Sequence, residues 1–374
     1  MNIKPFKVEM WMNEHEDKAI YNTGETCVDS ISVNDLFELA GLDKEKTLND
    51  LLKKRLTYGH IFGNPTFKQG ITKLYQNITP DQVVTTHGAI GANHLVLYSL
   101  VNPEDEVVAI LPTYQQLYSI PESFGATVKM YALKKENNFL PDLAEVKKLV
   151  SDKTKVIVIN NPNNPSGALM SADILNGIVA LAKEVDAYIL CDETYRGLTQ
   201  TDEVSPSIVD LYEKGISTSS MSKVWSLAGL RLGWIATRDS AAMDTCLIHR
   251  DHNTISCGLL DEELAAIALT HQTEIMARNL TLVRKNLQIL DTWVQNEPHI
   301  HYVKPQAGTI TLLYYDFDMT SYDLCLDLID NHGILFTPGE CFEFEKCVRI
   351  GYACKTDDLK TGLAKFSEYL RQFD

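Results

Sequence analysis

Between about residue 83 and residue 237 the chain alternates short apolar, β-branched runs with longer stretches of helical periodicity, and no other feature restricts its fold as much. The runs Val83–Thr86, Val107–Leu111, Val128–Leu133, Val156–Asn160, Ala187–Cys191, Ile216–Ser219 and Leu232–Ala236 read as strands. Val156 to Ile159 and Tyr188 to Cys191 are continuously apolar rather than alternating, as strands covered on both faces must be. Between them Ile174, Ile178, Leu181 and Val185 recur at helical spacing behind Ser171, a helix-capping residue. The pattern predicts an α/β fold whose large domain is a mostly parallel, seven-stranded sheet covered by helices.

At 374 residues the chain exceeds one compact core, and at roughly 150 residues per domain it calls for about two. From about Asp261 the pattern lengthens into one or two long helices. Thr309–Asp318, Gly333–Phe336 and Cys347–Tyr352 then read as strands of a smaller α+β domain beginning near residue 285. The formal charge of −16 repels a phosphate backbone, which argues against nucleic acid as a partner. No apolar run reaches the ~18 residues of a membrane span, and the first residues lack the apolar core of a secretory signal. The expected location is the cytoplasm. Eight cysteines without a CxxC pair read as reduced thiols, not as a disulfide framework or a zinc site. His249 and His252 could share a helix face, but without an accompanying carboxylate motif they read as surface residues, and no metal is expected.

Ligands of open α/β sheets bind beyond the carboxyl ends of the strands. After Thr86 comes His87-Gly-Ala-Ile-Gly91, a small-residue turn opening a helix, which suits an anion at free backbone N–H groups or serves only as a turn. It is not a GxGxxG sequence, and there is no Walker sequence. After Asn160 comes Asn161-Pro-Asn-Asn164-Pro-Ser-Gly167, either a rigid holder of amide side chains or an ordinary tight turn. After Cys191 come Asp192 and Tyr195, a carboxylate that could equally cap a helix and a phenol. The stretch Ser219 to Gly233 combines hydroxyls, Lys223 among small and apolar neighbours, and Arg231. Desolvation there would favour the neutral amine that a Schiff base needs.

Taken together these segments resemble the fold-type I pyridoxal-phosphate enzymes, in the class I/II aminotransferase branch. Ser220-x-Ser-Lys223 followed by Gly229-x-Arg231-x-Gly233 is similar to the family's lysine motif. Asn161-Pro-x-Asn164-Pro-Ser-Gly is similar to its asparagine motif, and Asp192-x-x-Tyr195 to its aspartate and tyrosine motif, in the family's order from Gly24 to Arg349. The resemblance implies pyridoxal 5′-phosphate as cofactor and an enzyme of amino-acid metabolism and biosynthesis. It would move an amino group between an amino acid and a 2-oxo acid through an aldimine on Lys223, which also carries the proton. It implies Asp192 at the pyridine nitrogen, with Tyr195 and Asn164 at the phenolic oxygen. The phosphate would rest on Gly88, Ala89, Ile90, Ser220 and Arg231, and Tyr114 would stack on the ring. Arg349 and Gly24, with Asn164, would meet the substrate. Tyr58 would reach the neighbouring site of a homodimer. The implied division is 45–284 for the large domain and 1–44 with 285–374 for a discontinuous small one.

Two readings compete with transamination. The same residues permit a β-eliminating C–S lyase or an amino-acid cyclase of the capreomycidine synthase kind, and a non-catalytic descendant would need a broken motif, which is not found. Where many relatives have Gly-Glu-Pro-Asp, this chain has Gly24-Glu25-Thr26-Cys27, and the segment Glu9 to His15 is unfamiliar. Neither Arg55 nor Arg250 obviously supplies a second arginine for a dicarboxylate side chain. His87 is either a pocket ligand or a turn filler.

Overall fold

The computed structural model describes residues 2–373. Thirteen strands occur among them: β1 (Tyr21–Asn22), β2 (Val83–Thr86), β3 (Glu106–Leu111), β4 (Thr127–Ala132), β5 (Thr154–Asn160), β6 (Tyr188–Asp192), β7 (Gly215–Ser220), β8 (Gly233–Thr237), β9 (Ile300–Tyr302), β10 (Ile310–Tyr315), β11 (Ile334–Leu335), β12 (Thr337–Pro338) and β13 (Cys347–Gly351). The strands expected between 83 and 237 are all present, with ends displaced by no more than two residues because ladder pairing continues past the apolar run. They form one sheet in the order β2-β8-β7-β6-β5-β3-β4. Val156, Ile157, Val158 and Ile159 of β5 are fully buried, so both of its faces are covered. Removing each such side chain from water contributes roughly 1.5–3 kcal/mol.

Only β8 runs against its neighbours, pairing antiparallel with both β7 and β2. As a result Gly233 lies opposite Thr86 on one side and Ser220 on the other. The carboxyl ends of β2 and β7 thus meet where β8 begins. On the far side of β7, Thr218 is in register with Asp192 and Asp192 with Asn160. The helix Ala172–Glu184 makes the β5 to β6 crossover, and the Ser171 hydroxyl accepts from the N–H of Ile174 at 3.4 Å.

A second, antiparallel sheet has the order β12-β13-β10-β9, and a short parallel pair joins β1 to β11. The N-terminal segment is therefore woven into the C-terminal part of the chain. Trp11 Nε1 donates to the Phe336 carbonyl at 2.8 Å and the Thr23 hydroxyl to the Leu335 carbonyl at 2.9 Å. The helices Leu259–Thr270 and Gln272–Asn296 supply the long helical stretch, and the second runs unbroken through residue 285. All eight cysteines are free. Among the described residues no helix is long and apolar enough to cross a membrane. His249 packs edge-on against the Tyr98 ring at 5.0 Å.

Candidate active site

A cavity of about 350 Å³ opens at the carboxyl edge of the seven-stranded sheet. At one end the helix Gly88–Leu100 points its N-terminus toward it, and Ala89, Ile90, Ser220 and Arg231 line it there. Gly88 does not itself line the cavity, but its φ of +69° opens the helix, and a Cβ on it would come within 3.3 Å of Arg231 Nη2. A Cβ on Gly233 would lie 2.4 Å from the Gly88 carbonyl carbon and 2.6 Å from the Ala89 nitrogen. Only glycine lets β8 approach the helix start so closely. The arrangement gathers free N–H groups, a hydroxyl and a guanidinium, which is the donor set for a phosphate. Ser222 also lines this end.

In the middle, Asp192 is 5% exposed and fixed on both oxygens. Asn93 Nδ2 donates to Oδ2 at 2.8 Å and the Thr194 N–H to Oδ1 at 3.0 Å. Asn93 in turn accepts from the Thr218 hydroxyl at 2.5 Å, so a chain of hydrogen bonds sets the carboxylate's orientation. Asn160 joins the same cluster, donating to the Asp192 carbonyl and accepting from the N–H of Asn164 at 2.6 Å. Tyr195 is buried, and that burial raises its phenol while Lys223 opposes the rise.

Lys223 Nζ donates to the Thr26 hydroxyl at 2.6 Å and lies 3.4 Å from Cys27 Sγ. Desolvation lowers its pKa, but Cys27, Tyr195 and Glu25 outweigh that effect and raise the amine above the ordinary lysine range. The polar groups around the amine come from a segment nearly 200 residues earlier in the chain.

At the other end Arg349 is 3% exposed and has only neutral acceptors. It donates to Asn164 Oδ1 at 3.3 Å, to the Gly24 carbonyl at 3.1 Å and to the Thr337 hydroxyl at 3.0 Å, and its Nε has no partner. Burial lowers its pKa. A buried guanidinium without a carboxylate is a site for an anionic ligand. Tyr114 lines the cavity beneath the helix Lys7–His15 and donates to Glu9 Oε1 at 2.6 Å.

Three residues lie elsewhere. Tyr58 is outside the cavity and 69% exposed. His87 is exposed at the start of its helix and makes no capping hydrogen bond, so it fills a turn here. Arg250 is buried away from the cavity, donating to the carbonyls of Thr85 and Ile61. Glu9, Glu16, Thr26, Cys27 and Asn93 line the cavity without having been singled out from sequence as site residues. For Asn93 the available signal was an amide inside an otherwise apolar helix. For Thr26 and Cys27 it was the departure from Gly-Glu-Pro-Asp.

The donor set fits pyridoxal phosphate. An anion cradle, a fixed buried carboxylate and an amine occur in one cavity, with an uncompensated guanidinium left for a substrate. Residues 39–366 match the family "Aminotransferase class I and II". A PLP-dependent aminotransferase from Streptococcus suis, solved by crystallography, is 42% identical, with a TM-score of 0.97 and coverage of 100% of this chain and 99% of that one. Capreomycidine synthase of Streptomyces vinaceus is 32% identical over 289 residues, 77% of this chain and 74% of the relative. Aspartate aminotransferase of Thermotoga maritima is 28% identical over 365 residues, 94% of each chain. The chain belongs to the class I and II aminotransferases, enzymes that work with pyridoxal 5′-phosphate.

Proposed function

We propose that this aminotransferase exchanges an amino group between an amino acid and a 2-oxo acid, with Lys223 as the covalent anchor and the proton carrier. The observation that carries the reading is the presence, in one cavity, of Lys223, the doubly fixed Asp192 and an Arg349 that lacks an anionic partner. Pyridoxal phosphate supplies an aldehyde for amine exchange and a ring that takes up the electrons released when the substrate's α-proton departs.

Gly88, Ala89 and Ile90 would hold the phosphate with their N–H groups, helped by Ser220 and Arg231. Asp192, its carboxylate held by Asn93 and the Thr194 N–H, would keep a proton on the ring nitrogen. Tyr195 and Asn164 would donate to the phenolic oxygen. Arg349 grips the substrate α-carboxylate, and Gly24, whose carbonyl accepts from Arg349, borders that position. Tyr114 would lie against the ring, and the N-terminal helix over it would act as a lid. Lys223 Nζ, freed when a substrate amine takes its place, would be the base that moves the proton released from the substrate Cα. Thr26 would hold that freed amine in place while the substrate is bound.

The assembly we propose is a homodimer in which Tyr58 reaches the neighbouring phosphate. Leu56, Tyr58 and Phe62 are 80%, 69% and 56% exposed, and Ile90 and Leu260 are also exposed. They surround a loop tied to the helix Leu259–Thr270 through Lys54–Glu263 and Asn64–Glu262. An apolar patch of this kind marks an interaction surface. We divide the chain into 45–284 and 1–44 with 285–374, supported by the β1–β11 pairing. We place it in the cytoplasm, which suits its free thiols.

The test is the visible spectrum of the holoenzyme after addition of one amino acid and no oxo acid. It should shift to the amine form of the cofactor, and borohydride should trap an adduct on Lys223 beforehand. Absence of both ends this reading. Likeness to capreomycidine synthase favours a second reading, cyclisation or β-elimination. Release of ammonia and pyruvate, or of a cyclised amino acid, without the amine form would establish it.

A further inference from the structure

The proposed reading leaves open which side chain the substrate carries, and the cavity's charge distribution bears directly on that. Its cationic lining residues are Lys223, Arg231 and Arg349, all committed to the cofactor or to the α-carboxylate. The N-terminal segment contributes three half-buried carboxylates to the same lining, Glu9, Glu16 and Glu25. Their hydrogen-bond contacts are with neutral groups, while Lys223 lies within electrostatic reach of Glu16 and Glu25, and Arg349 of Glu9. Glu9 accepts from the Tyr114 hydroxyl and Glu16 from Asn22 Nδ2 at 3.2 Å, while Glu25 lies against the Cys27 thiol. Val8 and Met12 add an apolar wall beside them.

From this arrangement we infer that the enzyme selects amino acids with a cationic side chain, an apolar stem ending in a guanidinium or ammonium, which Glu9, Glu16 and Glu25 receive. An incoming dicarboxylate would meet like charges, and this chain's own lining offers it no uncommitted counter-cation. A cationic head on a methylene stem would lay its stem on Val8 and Met12 and its charge among the three carboxylates. Burial raises the pKa of Glu16 and Glu25 adds to the rise, against the lowering by Asn22 and Lys223, and a further cation beside it would oppose the rise. Arg349 is the independent sign that a ligand belongs here, because its buried Nε has no partner and the Gly24 carbonyl bound to it adjoins Glu25.

The inference rests on the aminotransferase reading, but its test is binding and needs no turnover. Holoenzyme is titrated calorimetrically with 5-guanidinopentanoate, the arginine skeleton without its α-amino group, and with its neutral counterpart 5-ureidopentanoate. A second pair, 6-aminohexanoate and hexanoate, separates ammonium from guanidinium recognition, and glutarate represents the dicarboxylates. At least one cation should bind about tenfold or more tightly than its neutral partner, as a charge-assisted hydrogen bond implies. Glu16→Gln with Glu25→Gln should cut that ratio several-fold. Equal affinities within both pairs, tighter binding of glutarate, or a ratio that the variants leave unchanged overturns the inference. A cation preference with no spectral change on adding any amino acid would defeat the aminotransferase reading alone. A spectral change with aspartate and no cation preference would defeat this one alone.

Discussion

Arg349 reaches its position through β13, where Thr337 of β12 is its cross-strand partner and Leu312 of β10 lies opposite on the other side. Its neighbours fix the guanidinium plane with three neutral acceptors, and the Phe342 ring lies 5.2 Å from its central carbon. A lysine ammonium offers no planar fork and cannot satisfy these partners together with a carboxylate. We therefore expect Arg349→Lys to raise KM for the amino acid by at least roughly tenfold, while cofactor affinity measured by absorbance titration is unchanged. A comparable loss of cofactor would instead show that the residue supports the fold of the site.

At the scale of elements, the helix Gln272–Asn296 ties the Lys223 loop to the Arg349 strand. Asn279 Nδ2 donates to the Val224 carbonyl at 2.7 Å, and Asn286 Nδ2 donates to the Tyr352 and Cys354 carbonyls, each at 2.8 Å. Both amides are fully buried, so truncation strands a backbone carbonyl away from water. Asn279→Ala should lower unfolding free energy by about 1–3 kcal/mol in denaturant titrations and should loosen the lysine loop. The approach of β8 to the helix Gly88–Leu100 is less forgiving. Gly233→Ala would drive a methyl into the Gly88–Ala89 backbone, and equilibrium dialysis should show cofactor affinity falling by at least roughly tenfold.

At the scale of the molecule, two expectations concern assembly and pH. Sedimentation should return the mass of two chains, and Tyr58→Phe should weaken cofactor binding several-fold without altering that mass. The buried thiols make the fold sensitive to alkali. Burial pushes Cys27 and Cys257 up to about 11, and Cys246, Cys341 and Cys347 to about 12, from 9.0. Between pH 9 and 11 the unfolded chain has released these protons and the folded chain still holds them. The unfolded state therefore binds fewer protons, and stability falls as pH rises, by up to about 1.4 kcal/mol per pH unit for each thiol. Thermal midpoints should decline steadily above pH 9, and replacing Cys246 by Ala should flatten part of that decline.

Sequence by itself determined the central sheet's strands, because buried parallel strands need uninterrupted apolar runs and their crossover helices show a 3.6-residue period. It also singled out the segments at the strand ends, and their resemblance to the class I/II aminotransferases implied which residues within them form the site. Ala89, Ile90, Asn164, Asp192, Tyr195, Ser220, Lys223 and Arg231 all line one cavity. Tertiary structure alone decided what lies across that cavity. Thr26 and Cys27 at the Lys223 amine, Glu9 on Tyr114 and Glu16 and Glu25 in the wall arrive from the N-terminal segment, docked through β1 against β11. Such contacts span 105 to 197 residues, and no local periodicity encodes them. The charge state of Lys223 followed the same division. Its chain neighbours are small and apolar, while Thr26, Cys27 and Glu25 act on its amine from far along the chain, because electrostatic interactions depend on distance in space and not on separation along the chain.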